Sequence, residues 1–440
     1  MSPRANDATI GDLARTKAPR AAGPTSGADN VDGARRLEIL ETAASLIASS
    51  GLRTSMREIG EATGLLKGSL YHHFASKDAI LVELTRRYYA DLDRVGEQGL
   101  ERLEAPSSGS VADKIEQLGL AMARCAVTHR AALQMTFHES PSSDPELTEL
   151  LDNPPSLAQQ AMLQTLRAGR HSGDIRADID LPMLADRMSQ TMLSVGLDVI
   201  RHNAPADRVA GVLCRVMLNG LARRSPKDST LDKSKALAAA DRAIQGWADA
   251  PDSSESEADR IRAVARAEFG RRGYEITTIR DIAAVAHVGP ATVIRLIGKK
   301  SEALASIMRS FGIRLTAGYS GVLNSDASPL EKMDALSWVH INALKYFPDE
   351  WKIQQAWMRQ SPPNTANPGF AFAGRMRRLK ALLAEGIASG KIRDDAASMD
   401  MLTRCVMNLL WMPENIVRAS GPRDAHILSR DTWLRGIRER

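Results

Sequence analysis

Three ordered segments of this 440-residue chain match three later ones at a nearly constant displacement, which demands two copies of one folding unit rather than one large core. ILETAASLIASSG, from Ile39 to Gly51, matches IRAVARAEFGRRG, from Ile261 to Gly273. The match sets Ile39, Ala43 and Ile47 opposite Ile261, Ala265 and Phe269, and their i, i+4, i+8 spacing lays each trio along one helical stripe. TSMREIGEATGLLKGSLYHHF, Thr54 to Phe74, matches TTIRDIAAVAHVGPATVIRLI, Thr277 to Ile297. GRHSGDIR from Gly169 matches GIASGKIR from Gly386, and an apolar helical pattern follows each. Length agrees, being too great for a single core and enough for two ordinary domains.

Both copies read as all-α. Hydrophobic residues make up 43% and charged residues 25%, as in soluble proteins, while a 4% aromatic share beside abundant Ala, Leu, Met and Arg favours helices. Cys125, Cys214 and Cys405 stand far apart with no CxxC pair, so neither a zinc site nor a disulfide framework is expected, and no cofactor. No apolar run reaches the roughly 18 residues of a membrane span, and the start of the chain lacks the apolar core of a secretory signal; a cytoplasmic protein away from membranes is expected. The pattern divides as 1–33, a disordered tail; 34–85, a first head; 86–225, a first body; 226–257, a linker with one short helix; 258–308, a second head; and 309–440, a second body. The tail's Arg4, Arg15, Lys17 and Arg20 are offset by Asp7, Asp12, Asp29 and Asp32, which argues against a minor-groove arm.

In the first copy a helix from about Arg36 ends near Gly51. Thr54 or Ser55 then caps a second helix, with Glu58 in capping-box spacing from Ser55. That helix stops at Gly64, where a left-handed turn needs glycine, and a third begins near Lys67. Two short helices about a glycine turn form a helix-turn-helix, which sets the second helix across the first so that its N-terminal side chains enter a major groove. Gly68 and Ser69 allow close backbone approach, Lys67, Tyr71, His72 and Lys77 supply donors for phosphate and base edges, Arg57 holds the flanking backbone, and Thr54 and Ser55 are further candidate DNA contacts. Packing or protein contact is the other use of such a motif, for which Tyr71 and Lys77 are odd choices.

GLLKGSLYHHFASKDAI resembles the TetR family, whose signature is a glycine turn, a small-residue-rich reading helix, an aromatic-basic-x-Phe run and then Ser-Lys-acid. The resemblance implies a ligand cavity in each body and a four-helix interface between dimerising bodies. The second copy, HVGPATVIRLIGKKSEAL, departs from the signature: His287 stands at the turn glycine, Ile294 where Tyr71 stood and Ile297 where Phe74 stood. Thr277, Thr278, Arg280, Ala291, Thr292, Arg295 and Lys300 remain as candidate DNA contacts, and Arg271, Arg272 and Lys299 make the region as basic as the first. Whether this head reads DNA or is kept for packing stays open.

Helical stripes such as Leu184, Met188, Met192, Val195 and Val199 serve core or dimer contact. Candidate pocket residues are Met122, Phe137, Met162 and Met188 in the first body and Trp338, Trp351, Trp357, Met358 and Trp411 in the second. Five of the six tryptophans lie beyond residue 257, which favours the second body if only one pocket works. The expected function is a ligand-responsive repressor that binds a double-stranded operator and leaves it when a small apolar effector binds, acting as a homodimer or as an intrachain pseudo-dimer. An interaction or sensor protein in which only the first head binds DNA is the alternative. The chain has no P-loop, GxGxxG or HExxH pattern, so an enzyme is not expected.

Overall fold

The computed structural model describes residues 28–105, 109–136, 144–195, 199, 204–248, 256–359, 372–394 and 397–439. Helices carry the architecture, with no strand among the described residues and two isolated bridges. In the first unit α1 (Ala28–Ser50), α2 (Met56–Thr63) and α3 (Lys67–His73) form a small head. The long α4 (Lys77–Glu104) runs from it into a body of α5 (Val111–Thr128), α6 (Arg130–Met135), α7 (Pro145–Asp152), α8 (Leu157–His171), α9 (Leu181–Leu193) and α10 (Ala206–Asn219). Two helices follow, α11 (Asp228–Leu231) and α12 (Lys235–Ala248). The second unit repeats the order with α13 (Glu257–Arg272), α14 (Ile279–Ala286), α15 (Pro290–Ile297), α16 (Lys300–Leu323), α17 (Pro329–Tyr346), α18 (Pro348–Arg359), α19 (Phe372–Ala388), α20 (Met399–Leu409) and α21 (Glu414–Ser429), ending in a π-helical turn at Arg430–Arg435.

Local sequence explains the helix starts. Ser110 and Ser328 each begin the second helix of a body with a capping box, to Asp113 and to Glu331. Helix α1 begins at Ala28, inside the segment expected to be a tail; Asp32 in its early turns lies 3.2 Å from His73 Nδ1, so the head itself holds this extension.

The segment of linker composition is not a passive connection. In the first unit α8 lies along α4, so close that a Cβ at Gly96 would stand 2.6 Å from the Ala158 nitrogen. Tyr319 is the counterpart of Gly96 in the second copy, and the neighbouring Gly318 faces Trp247 and Ala243 of α12. Helix α12 buries Ala236, Ala240, Ile244 and Trp247 against α16 and α17. Helix α19, which follows α8 in the repeat, packs mainly on α20 instead.

The two bodies pair within the chain. Helices α9 and α10 meet α20 and α21, and buried Arg187 donates from Nη2 to the Leu409 carbonyl at 2.8 Å. The segments after α10 and after the π-turn are exchanged: Leu221 N donates to Trp433 O at 2.8 Å while Ile437 N donates to Met217 O at 3.0 Å. Arg176 N donates to Ile437 O at 3.0 Å, and Arg393 N to Leu221 O at 2.8 Å. Each bond has its partner under the repeat, which is the reciprocity of a two-fold axis. Gly220 (φ 71°) and Gly436 (φ 84°) meet back to back near that axis, where a Cβ on Gly436 would stand 2.4 Å from the Gly220 nitrogen. Their segments, NGLAR and RGIRE, are a fourth repeat match that the sequence reading passed over.

Candidate nucleic-acid interface and effector cavity

The first head is built as its turn signals require. Ser55 closes a capping box on α2, accepting from Glu58 N at 3.2 Å while its own N–H donates to Glu58 at 2.7 Å, and Gly64 ends the helix in the left-handed region at φ 65°. The Ser55 hydroxyl bond also holds the Glu58 carboxyl below the usual glutamate range. Leu70 and Phe74 on α3 are buried, so its opposite face presents Lys67, Gly68, Ser69, Tyr71 and His72 to solvent. Lys67 lies over the Tyr71 ring at 5.7 Å, and Arg57 on α2 is exposed beside them. Thr54 and Lys77 fall elsewhere. Thr54 is buried and donates to the Gly51 carbonyl at 2.9 Å, and the Lys77 ammonium donates to the Leu52 carbonyl, with burial holding its pKa below the usual lysine value. These two close the turn between α1 and α2 instead of facing a groove.

The second head repeats that construction with different surface chemistry. Thr278 caps α14 in a box with Asp281, and His287 ends it at φ 55°, left-handed as at Gly64, a conformation that costs a side chain about 1–2 kcal/mol. Thr277 is buried and donates to Gly273 O at 2.8 Å, as Thr54 does to Gly51. Lys300 repeats Lys77 more fully: its ammonium donates to the carbonyls of Tyr274 at 2.7 Å, Thr277 at 2.9 Å and Glu275 at 3.2 Å. The expected basic surface is therefore reduced. Arg271 pairs with Glu268 at 2.9 Å and Arg272 with Asp281 at 3.2 Å, while Arg280, Arg295 and Lys299 stay exposed. The outward face of α15 carries Ala291, Ile294 and Arg295, with Thr292 partly buried.

Sequence reasoning missed three features here. Leu66, at the N-cap of α3, is 82% exposed, and Ile294 on α15 is 51% exposed; large apolar side chains at the outward positions of these short helices were a readable sign of contact. The third is a pair between the heads, Arg53 Nη1 to Glu275 Oε2 at 3.5 Å. These two residues occupy one position of the repeat, where identical copies would set like charges together.

A cavity of about 740 Å³ lies between the units. The first unit contributes Tyr88, Tyr89, Leu92, Met122, Leu133 and Met135, and the second contributes Trp351, Trp411 and Met412. Of the expected pocket residues, then, Met122, Trp351 and Trp411 come together in this one cavity. Met162 and Met188 are fully buried core, Trp338 packs on His426 with ring centroids 5.1 Å apart, and Trp357 packs against the core outside this cavity. Phe137 and the Met358 side chain lie outside the described residues. Much of the second body's aromatic content fills its own core: Phe311 meets Phe347 at 5.6 Å and Trp351 at 6.5 Å, all edge-to-face. Sequence reasoning missed Tyr89 and Ser189, which carry no motif. No group of residues suited to a metal ion occurs among the described residues, and none of their helices is long and apolar enough to cross a membrane. The three cysteines are buried, with no disulfide between them.

Two segments, residues 39–84 and 261–302, match the family model of bacterial regulatory proteins, tetR family. Over 212 residues the chain is 31% identical to the HTH-type transcriptional repressor KstR2 of Rhodococcus jostii, spanning 46% of this chain and 97% of that protein. A repressor of the same name from Mycolicibacterium smegmatis is 30% identical over 182 residues, 40% of this chain and 87% of its own length. Among solved structures, the TetR family regulator PfmR of Thermus thermophilus is 28% identical with a TM-score of 0.35, covering 42% of this chain and 97% of that one. One relative's length thus fits within less than half of this chain.

Proposed function

The chain belongs to the TetR family of bacterial regulatory proteins, carrying two tandem units of it, and we propose that it acts as a one-chain repressor whose two heads read a single operator and leave it when a small apolar effector binds. The observation that carries this reading is the reciprocal pairing of the two bodies within one polypeptide, which gives two reading helices one frame without a second chain. Two-fold frames of this kind set reading helices toward successive major grooves, roughly 34 Å apart. The reading surfaces differ. Lys67, Ser69, Tyr71 and His72 face one half-site while Ala291, Thr292, Ile294 and Arg295 face the other, so the operator is an inverted repeat with unequal arms. Arg57 and Arg280 hold the flanking phosphates, and the reading assigns the chain binding rather than turnover.

Selection from random DNA with the full-length chain at fixed salt tests this, followed by the mass of the complex. Unequal arms with one chain per duplex support the reading. A perfect palindrome bound by two chains overturns the one-chain arrangement, and no enriched sequence at any salt sinks the repressor itself. A second reading, in which the second unit serves a partner or ligand and only the first head binds DNA, is favoured by one observation: α15 exposes Ile294 where α3 carries Tyr71. An operator footprint confined to one half-site would select it.

A further inference from the structure

Resting on that reading of an effector-released repressor, we infer that the chain holds one effector site shared by its two units, and that its ligand is a neutral, rigid, largely apolar molecule bearing carbonyl-type acceptor oxygens. Shape is the first ground: the cavity of about 740 Å³ is floored by Leu92, Met122, Leu133 and Met135 of the first body and walled by Trp351 and Trp411 of the second, so neither unit encloses the site alone. Unused polar atoms are the second. Four residues lining it carry buried atoms with no hydrogen-bond partner, namely Tyr89 Oη, Ser189 Oγ, Trp351 Nε1 and Trp411 Nε1. The two indole N–H groups can only donate, and the two hydroxyls can donate as well, so a ligand that satisfies them must bring acceptors.

Charge narrows the class. The lining acids Asp152, Asp186 and Glu414 outnumber the cations Lys352 and Arg418, and Arg418 is already bonded to Glu414, which disfavours an anionic ligand and leaves a ketone, ester or lactone. Divergence between the copies makes the site single. Gly312, with no donor to offer, stands at the repeat position of Tyr89, while His340 and Trp351 stand at those of Met122 and Leu133. His340 meets Trp351 edge-to-face at 5.4 Å, so rings occupy the second body where the first body keeps its floor.

The test uses the full chain with a panel of neutral two- to four-ring ketones, including 9-fluorenone, each beside the hydrocarbon of the same skeleton. Calorimetry should give one ketone per chain and tighter binding than its hydrocarbon. Tyr89→Phe, which keeps the ring and removes one donor, should weaken the ketone roughly tenfold and leave the hydrocarbon unchanged, and Trp351→Phe, which removes the indole donor together with part of the ring, should weaken the ketone more than the hydrocarbon. Melting of the free variants within a few degrees of the parent separates a lost bond from a lost fold. Two ligands per chain, equal binding of ketone and hydrocarbon, full-strength ketone binding by both variants, or no ketone bound would each overturn the assignment. Operator binding is measured in parallel: a chain that selects DNA but ignores every ketone loses this site and keeps its regulator role, whereas ketone binding without operator selection does the reverse.

Discussion

Replacing Lys300 by methionine separates a lysine that reads DNA from one that holds the head together. Its ammonium donates to the carbonyls of Tyr274, Glu275 and Thr277, so the substitution strips charged donors from three oxygens of one turn while keeping the aliphatic stem. Hydrogen bonds to a charged group contribute about 1.5–3 kcal/mol, and burial of the ammonium offsets part of the three together, so a loss of about 2–3 kcal/mol is expected. For a cooperative unit of one body plus head this lowers Tm by roughly 4–10 °C. DNA affinity measured from about 50 to 200 mM salt, below the melting range, should keep its slope. Arg295→Ala, at an exposed side chain of α15, should lower the slope by about 0.9, the loss of one phosphate contact, at nearly unchanged Tm. If Lys300→Met flattens the salt slope and leaves Tm alone, the inward lysine is misassigned and the ammonium reaches phosphate instead.

Three further outcomes follow from the same geometry. His287→Gly relieves a left-handed side chain and should stabilise the second head by about 1 kcal/mol in urea unfolding; a destabilised variant would mean that the imidazole makes a contact worth more than the strain. Arg53→Glu sets two carboxylates between the heads and Glu275→Arg two guanidiniums, so each should weaken operator binding, and the double reversal should restore it with a coupling of about 0.2–1 kcal/mol; strictly additive effects would show that the pair does not act. Burial pulls the His340 imidazole down to about 3, so below its unfolded value of about 6.5 the unfolded chain takes up a proton that the folded chain refuses. Stability present above that value is lost as pH falls toward 3, by about 1.4 kcal/mol per pH unit, and His340→Met, the residue at the matching position of the first copy, should flatten the melting profile between about pH 6.5 and 4.5.

What could be read along the chain alone is whatever depends on residues within a turn or two of each other. Two copies, all-α units, the Ser55 and Thr278 caps and the turns at Gly64 and His287 were legible, because propensity, capping boxes and left-handed turns are set by neighbours along the chain. The repeat even exposed where the second head departs from the first. Tertiary structure decided the direction and company of side chains. Lys77 and Lys300 looked like phosphate donors in a basic motif, yet each points back across a turn closed by residues well before it in the chain. Linker composition gave no sign that α12 would pack on α16 and α17, since that depends on a groove beside Gly318, far along the chain. Choice between a dimer of chains and pairing within one chain likewise rested on shape, at Gly220 against Gly436 and along α9, α10, α20 and α21. Tryptophan count pointed to the second body as the pocket, but a ring's burial depends on what packs over it from the other copy. Close packing makes that contact specific, and nothing local in the sequence records it.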